Sequence, residues 1–171
     1  MLEIGELPVE VVIVAVSDRM RTYYTDDGKR LCHSKTGIAP SEASKKPQAK
    51  KCAICFFDQW GSKITPNGKR GKGCAEFIQL VLRQPDTPEN AVSLRVPAAS
   101  MKIFRDYEKQ VNSRGEKLRH VVTRIGATHE ATRSTLTFRV VRFLEAEELD
   151  TLKQASARAV SPFAATDGYT N

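Results

Sequence analysis

All four cysteines of this chain fall within one stretch, residues 32–74, as Cys32, then Cys52-Ala-Ile-Cys55, then Cys74. The intervals between them are nineteen, two and eighteen residues. A C-x2-C pair is the tightest spacing at which two thiolates grip one tetrahedral ion, and outlying cysteines complete the shell. Cysteines serving only as small buried hydrophobes have no reason to cluster, yet the other 128 residues contain none. Four thiolates suit zinc and leave no open position for chemistry, so a structural Zn2+ on Cys32, Cys52, Cys55 and Cys74 is expected. His33 adjoins Cys32 and is the alternative fourth ligand. A four-sulfur iron site is a further option, but nothing else in the sequence points to electron transfer.

The same stretch carries the charge. Between Cys32 and Cys74 lie nine basic residues (Lys35, Lys45, Lys46, Lys50, Lys51, Lys63, Lys69, Arg70 and Lys72) and two acids, Glu42 and Asp58. That excess of +7 equals the formal net charge of the whole chain, so the remainder balances to zero. Localised positive charge implies a polyanionic partner. No apolar run approaches the roughly 20 residues that span a bilayer. The longest, residues 11–16, is too short for a secretory signal and has no basic lead. The expectation is a cytoplasmic protein with reduced thiols and neither a membrane nor a small-molecule partner.

Residues 7–24 read as one long strand: residues 9–16 are apolar in both registers and rich in β-branched side chains, which predicts burial on two sides, and the far end at 19–24 mixes basic and aromatic residues. Thr25-Asp26-Asp27-Gly28 and Pro66-Asn67-Gly68-Lys69 read as chain reversals. Residues 38–51 are poor in large apolar side chains, and a metal at their base would supply the missing stability. Strands follow at 75–83 and 92–96, separated by the loop Gln84-Pro-Asp-Thr-Pro-Glu-Asn. From Pro97 onward Met101, Ile103, Phe104, Tyr107 and Val111 recur at helical steps, with Gly115 beyond the end. Two further strands, at 118–127 and 134–144, lead to a helix over 145–158 that runs from acidic to basic, and to a disordered tail at 161–171. The fold class is therefore mainly β with one or two helices, as a single domain over residues 1–160. Five strands with a helix between the third and fourth is the order of an OB-fold β-barrel, here with a zinc-binding basic subdomain at 32–74 inserted between the first two strands.

Aromatic residues are interleaved with the charge: Tyr23, Tyr24, Phe56, Phe57, Trp60 and Phe77. Unpaired bases stack on such rings, while Lys63, Lys69, Arg70 and Lys72 would neutralise phosphates. Core packing is the competing role, and it suits Phe56 or Phe57 beside the cysteine pair. Gly68-Lys69 lacks the Ser/Thr and the preceding strand of a P-loop. His33, His120 and His129 are scattered, and no nucleophile has a neighbouring base, so no enzyme is expected. The carboxylates Glu145, Glu147, Glu148 and Asp150 read as partners of a helix dipole.

The pattern Cys32-His-Ser, Cys52-x2-Cys55, Trp60-Gly-Ser-Lys-Ile and Gly68-Lys-Arg-Gly-Lys-Gly-Cys74, followed by Leu94-Arg-Val-Pro-Ala-Ala-Ser and Leu136-Thr-Phe, resembles zinc-containing single-stranded-DNA-binding proteins of tailed bacteriophages. More distantly, residues 77–111 are similar in layout to the helix-destabilising protein of T-even phages. The resemblance covers about residues 32–144. It implies an OB fold with a zinc-ribbon-like subdomain that coats single-stranded DNA with little sequence preference in phage DNA replication, recombination and repair, in the host bacterial cytoplasm. By position, the four cysteines would hold zinc, and Lys69, Arg70 and Lys72 would match that family's basic DNA-contacting segment. Arg95, on the basic strand after the Pro-rich loop, joins Tyr23, Tyr24, Trp60, Lys63 and Phe77 as a candidate contact. Phage replication and recombination proteins are the implied partners. Such proteins often end in an acidic tail, whereas residues 161–171 hold one Asp and no Glu. The rival readings are a zinc-ribbon transcription or RNA-binding factor and a protein-interaction subunit of a replication assembly.

Overall fold

The computed structural model describes residues 7–130 and 133–157. They divide into two compact units: the chain up to Val16 together with everything from Gln79 onward, and Ser17–Ile78. The tail expected at 161–171 lies outside the described residues.

In the first unit, β1 (Val9–Val16) buries Val11, Val12 and Ile13 in succession. Consecutive burial requires a neighbour on both faces, which explains why both registers of this strand are apolar. It runs antiparallel to the end of β6 (Cys74–Arg83), with Val12 opposite Arg83 and Val16 opposite Leu80. On its other edge it runs antiparallel to β8 (Val121–Glu130). β7 (Ala91–Pro97) also pairs with β6, and β9 (Arg133–Phe143) returns along β8 from Glu130 opposite Arg133 to Val121 opposite Phe143. The result is a mainly antiparallel β architecture. Among the described residues no pairing joins β7 to β9, so the ring of strands that a closed barrel needs is not completed.

Two helices cover this sheet. α1 (Ala98–Ser113) starts immediately after Pro97 and buries Ser100, Met101, Phe104, Tyr107 and Val111, one face at three- and four-residue steps. Phe104 meets Phe138 of β9 edge-on at 5.3 Å, and the Tyr107 hydroxyl lies 2.7 Å from Thr123 Oγ1. Ser100 Oγ accepts the Leu136 N–H at 2.9 Å, which ties the first turn of the helix to β9. α2 (Ala146–Ala157) closes a second cluster of Val12, Val122, Leu144 and Leu152. Its first turn is held by Glu148, whose carboxylate accepts the Glu145 N–H at 2.8 Å and both Arg142 N–H groups at 2.7 and 2.8 Å. This is the carboxylate half of a capping box, reinforced by an arginine fork. Neither helix is long and apolar enough to cross a membrane.

The second unit is a hairpin with a long excursion. β2 (Met20–Tyr24) runs antiparallel to β3 (Arg30–Ser34) on one edge and to the start of β6 on the other. The strand expected over 7–24 is thus interrupted at 17–19. There Gly37, at φ +72°, comes so close that a Cβ on it would sit 2.5 Å from the Arg19 carbonyl oxygen. Two short 3-10 turns, Cys52–Ile54 and Phe56–Asp58, precede a small hairpin of β4 (Lys63–Ile64) and β5 (Arg70–Gly71).

The two reversals in this unit are the same turn. Thr25 N–H donates to Lys29 O at 3.0 Å, Gly28 N–H to Thr25 O at 2.9 Å, and Lys29 N–H to Thr25 Oγ1 at 3.1 Å. Thr65, Gly68 and Lys69 repeat that set at 2.9, 2.8 and 3.0 Å. In each turn the glycine adopts a left-handed φ, +80° at Gly28 and +75° at Gly68, which other residues reach only with strain. The shared pattern is Thr-x-x-Gly-Lys.

Candidate metal centre and nucleic-acid interface

Cys32 and Cys74 come from the two strands that flank β2, and each lies opposite Tyr23. Residues directly opposed in an antiparallel sheet share a face. Both thiols therefore rise on the same side, together with Arg21, which lies opposite Ser34 and Glu76. His33, opposite Thr22, belongs to the other face by strand alternation. Its backbone and ring engage Ser44, whose Oγ accepts the His33 N–H at 3.1 Å and lies 3.4 Å from Nδ1. By that alternation Cys32 shares a face with Cys74 and His33 does not, although His33 also lines the cavity that the cysteines share.

Cys52 and Cys55 are placed by the consecutive 3-10 turns, where the Cys55 N–H donates to Cys52 O and the Asp58 N–H to Cys55 O, both at 3.1 Å. All four cysteines are free thiols, and all four line one cavity of about 20 Å3 along with Arg21 and Asp58. That is room for about one small occupant. Among the described residues no three His, Cys, Asp or Glu side chains are gathered at metal-holding distances; what the cysteines share is the cavity. Burial pushes the Cys74 thiol up to about 12, and the neighbouring Asp58, Cys55, Cys32 and Cys52 push in the same direction. Cys74 would have to give up its proton to serve as a thiolate ligand. Four sulfur donors around one small cavity fit zinc chemically.

A charged lattice lies beside the cavity. Arg21 Nη1 is 3.0 Å from Asp58 Oδ2 and donates to Gly37 O at 3.0 Å, while Nη2 is 2.8 Å from Glu76 Oε1. Lys72 Nζ lies 3.2 Å from Asp58 and 3.5 Å from Glu76, and Arg19 lies 3.9 Å from Glu76. Burial alone would raise the Glu76 carboxyl, but Lys72, Arg21 and Arg19 outweigh it and hold the group below its usual range.

The candidate nucleic-acid residues separate into distinct environments. Trp60 is 74% exposed, and Lys63, Lys69 and Arg70 are exposed with no ion-pair partner among the described residues. Lys72, in contrast, is neutralised by Asp58 and Glu76. Tyr23 is half-buried with its ring stacked on Phe57 at 4.0 Å, Tyr24 is exposed, and Phe77 is buried at 3%. Phe77 therefore packs in the interior and offers no face to a base. Arg95 is exposed on β7, in the other unit. Of Phe56 and Phe57, one of which is expected in the interior, Phe57 is half-buried and Phe56 is 67% exposed, its ring edge-on to Phe57 at 5.4 Å. Ile54 and Ile64, at 72% and 66%, are exposed apolar side chains of the same segment. The 3-10 geometry decides this: it turns Cys52 and Cys55 inward, so Ile54 and Phe56 beside them face solvent.

No protein-family model matches the chain, and no curated protein or solved structure does either.

Proposed function

We propose that this protein binds single-stranded DNA through residues 54–70 and that zinc on Cys32, Cys52, Cys55 and Cys74 stabilises the segment. The observation that carries the reading is that one segment exposes Phe56 and Trp60 together with Lys63, Lys69 and Arg70, cations with no ion-pair partner among the described residues. Large exposed aromatic side chains beside free cations match a ligand with accessible base faces and a polyanionic backbone. A duplex hides those faces in its own stack. Each backbone phosphate neutralised by Lys63, Lys69 or Arg70 would release counterions, and each base laid on Trp60 or Phe56 would exclude water from both rings. The protein acts by occupancy, with no bond made or broken.

Zinc, when bound, supplies a four-way cross-link in a segment with little apolar core. The strand order, with α1 between β7 and β8, supports an OB-type fold carrying this segment as an insertion. The resemblance to zinc-containing phage single-stranded-DNA-binding proteins adds a role in phage replication, recombination and repair in the host cytoplasm. The exposed Ile54 and Ile64 favour the interaction-subunit reading, in which this face docks on another protein.

A salt titration of binding to fluorescent oligo-dT, with duplex DNA and RNA as competitors, separates these readings. Three phosphate-pairing cations give a slope of log K against log salt of about −2, with single-stranded DNA the strongest competitor. Weak binding at low salt would overturn the proposal in favour of a protein partner.

A further inference from the structure

Arg21 touches each segment that carries a cysteine. It donates to Gly37 O in the loop beyond Cys32, lines the same cavity as Cys52, pairs with Asp58 just past Cys55, and pairs with Glu76 just past Cys74. The Arg21, Asp58 and Glu76 side chains are only 13%, 8% and 15% exposed. Arg21 also lines the thiol cavity, and its Nε is buried with no hydrogen-bond partner among the described residues. Asp58 and Glu76 are already matched by Arg21 and Lys72. A zinc ion with four thiolates would add a net double negative charge, which N–H donors aimed at sulfur relieve.

We propose that Arg21 is the positioning residue of the metal centre, drawing the cysteine segments together before metal enters and donating a hydrogen bond to the Cys52 sulfur. This inference rests on the zinc reading above. A guanidinium suits the task because its planar fork engages two carboxylates and still has donors to spare. Strand β2 is the natural place for it, since β2 lies between the strands that bear Cys32 and Cys74.

Arg21→Met keeps an apolar stem and removes the fork. Zinc affinity is read by competition with a chromophoric chelator, and cobalt(II) in place of zinc reports the thiolate-to-metal charge-transfer band. The expected result is zinc binding weakened roughly tenfold to a hundredfold, with the cobalt band moved to lower energy as Cys52 loses its donor. Arg21→Lys should recover part of the affinity, because it restores the charge without the fork. Parental affinity and an unchanged band in Arg21→Met would overturn the inference. Weaker affinity with an unchanged band would overturn the sulfur contact and leave only scaffolding. If Arg21→Met does not fold, Arg21→Lys decides, and parental behaviour in both readouts again overturns it. A parent protein that takes up neither metal through its thiols removes the zinc reading itself, and this inference with it.

Discussion

The unit built on β1, β8 and β9 buries branched aliphatic and aromatic side chains, whereas the stretch from Thr25 to Gly73 buries two cysteines and a few polar groups. In the first, Val11, Val12, Phe104, Val121 and Ile125 are almost wholly removed from water. In the second, the buried apolar side chains are Cys52 and Cys55, accompanied by His33, Ser34, Ser44 and Asp58. Apolar burial stabilises by about 25 cal/mol per Å2, and so little of it cannot offset the conformational entropy of nearly fifty residues. The stretch is instead tied by turns, by the Arg21 lattice and, in our reading, by a metal. The lesson concerns division of labour: a segment freed from filling a core can expose its aromatic residues.

The largest expected effect lies in the conventional core. Phe104→Ala removes a fully buried ring packed on Phe138 and should lower unfolding free energy by about 3–5 kcal/mol in a urea titration. A loss below 1 kcal/mol would mean that α1 is not the cover of that sheet. The cysteine stretch should respond to a different insult. Stripping metal with a strong chelator should speed hydrogen exchange at Cys52, Cys55 and Lys46, whose amides are bonded to Ile38, Cys52 and Leu31, and leave the β8–β9 hairpin protected. Uniform loss of protection across both units would erase the distinction drawn above.

Trp60→Ala should leave stability within about 0.5 kcal/mol, since the side chain is exposed. It should nonetheless weaken oligo-dT binding by about 1–3 kcal/mol. Tyr23→Ala should show the opposite balance, because its ring is spent on Phe57. The smallest effect concerns acid. The Arg142 fork, then the Glu145 N–H, hold the Glu148 carboxyl at about 2, below its ordinary 4.5. A depressed carboxyl stabilises the fold above pH 4.5 and loses that contribution as pH falls through about 2. Thermal melts of the parent should therefore decline slightly more across that window than those of Glu148→Gln, and parallel curves would sink the assignment.

Much of the strand-rich unit is legible in the sequence because its elements are periodic. Met101, Phe104, Tyr107 and Val111 mark the buried face of α1 without any tertiary knowledge, and the double-register apolarity of β1 announces a strand covered on both sides. The cysteine stretch is legible only as spacing and charge. Whether Lys72 is free or spent depends on Asp58, fourteen residues away. The role of Arg21 is not legible in the sequence because its partner Glu76 lies fifty-five residues away. The exposure of Phe56 hangs on which way a 3-10 turn faces, and no periodicity records that. Phe77 is legible as a core residue because it opens a run, residues 77–83, that is buried on both faces of its strand.

The repeated Thr-x-x-Gly-Lys turn makes the protein its own control. Lys29 and Lys69 leave the same backbone scaffold, but Lys29 is held by Asp27 at 2.6 Å while Lys69 follows Pro66 and Asn67 and has no counterion among the described residues. The same turn thus accepts Asp-Asp or Pro-Asn at its two middle positions, and an Asp at the second of them neutralises the lysine. The turn behaves as an interchangeable cassette: its geometry is written by threonine and glycine, and its electrostatic role by the pair between them.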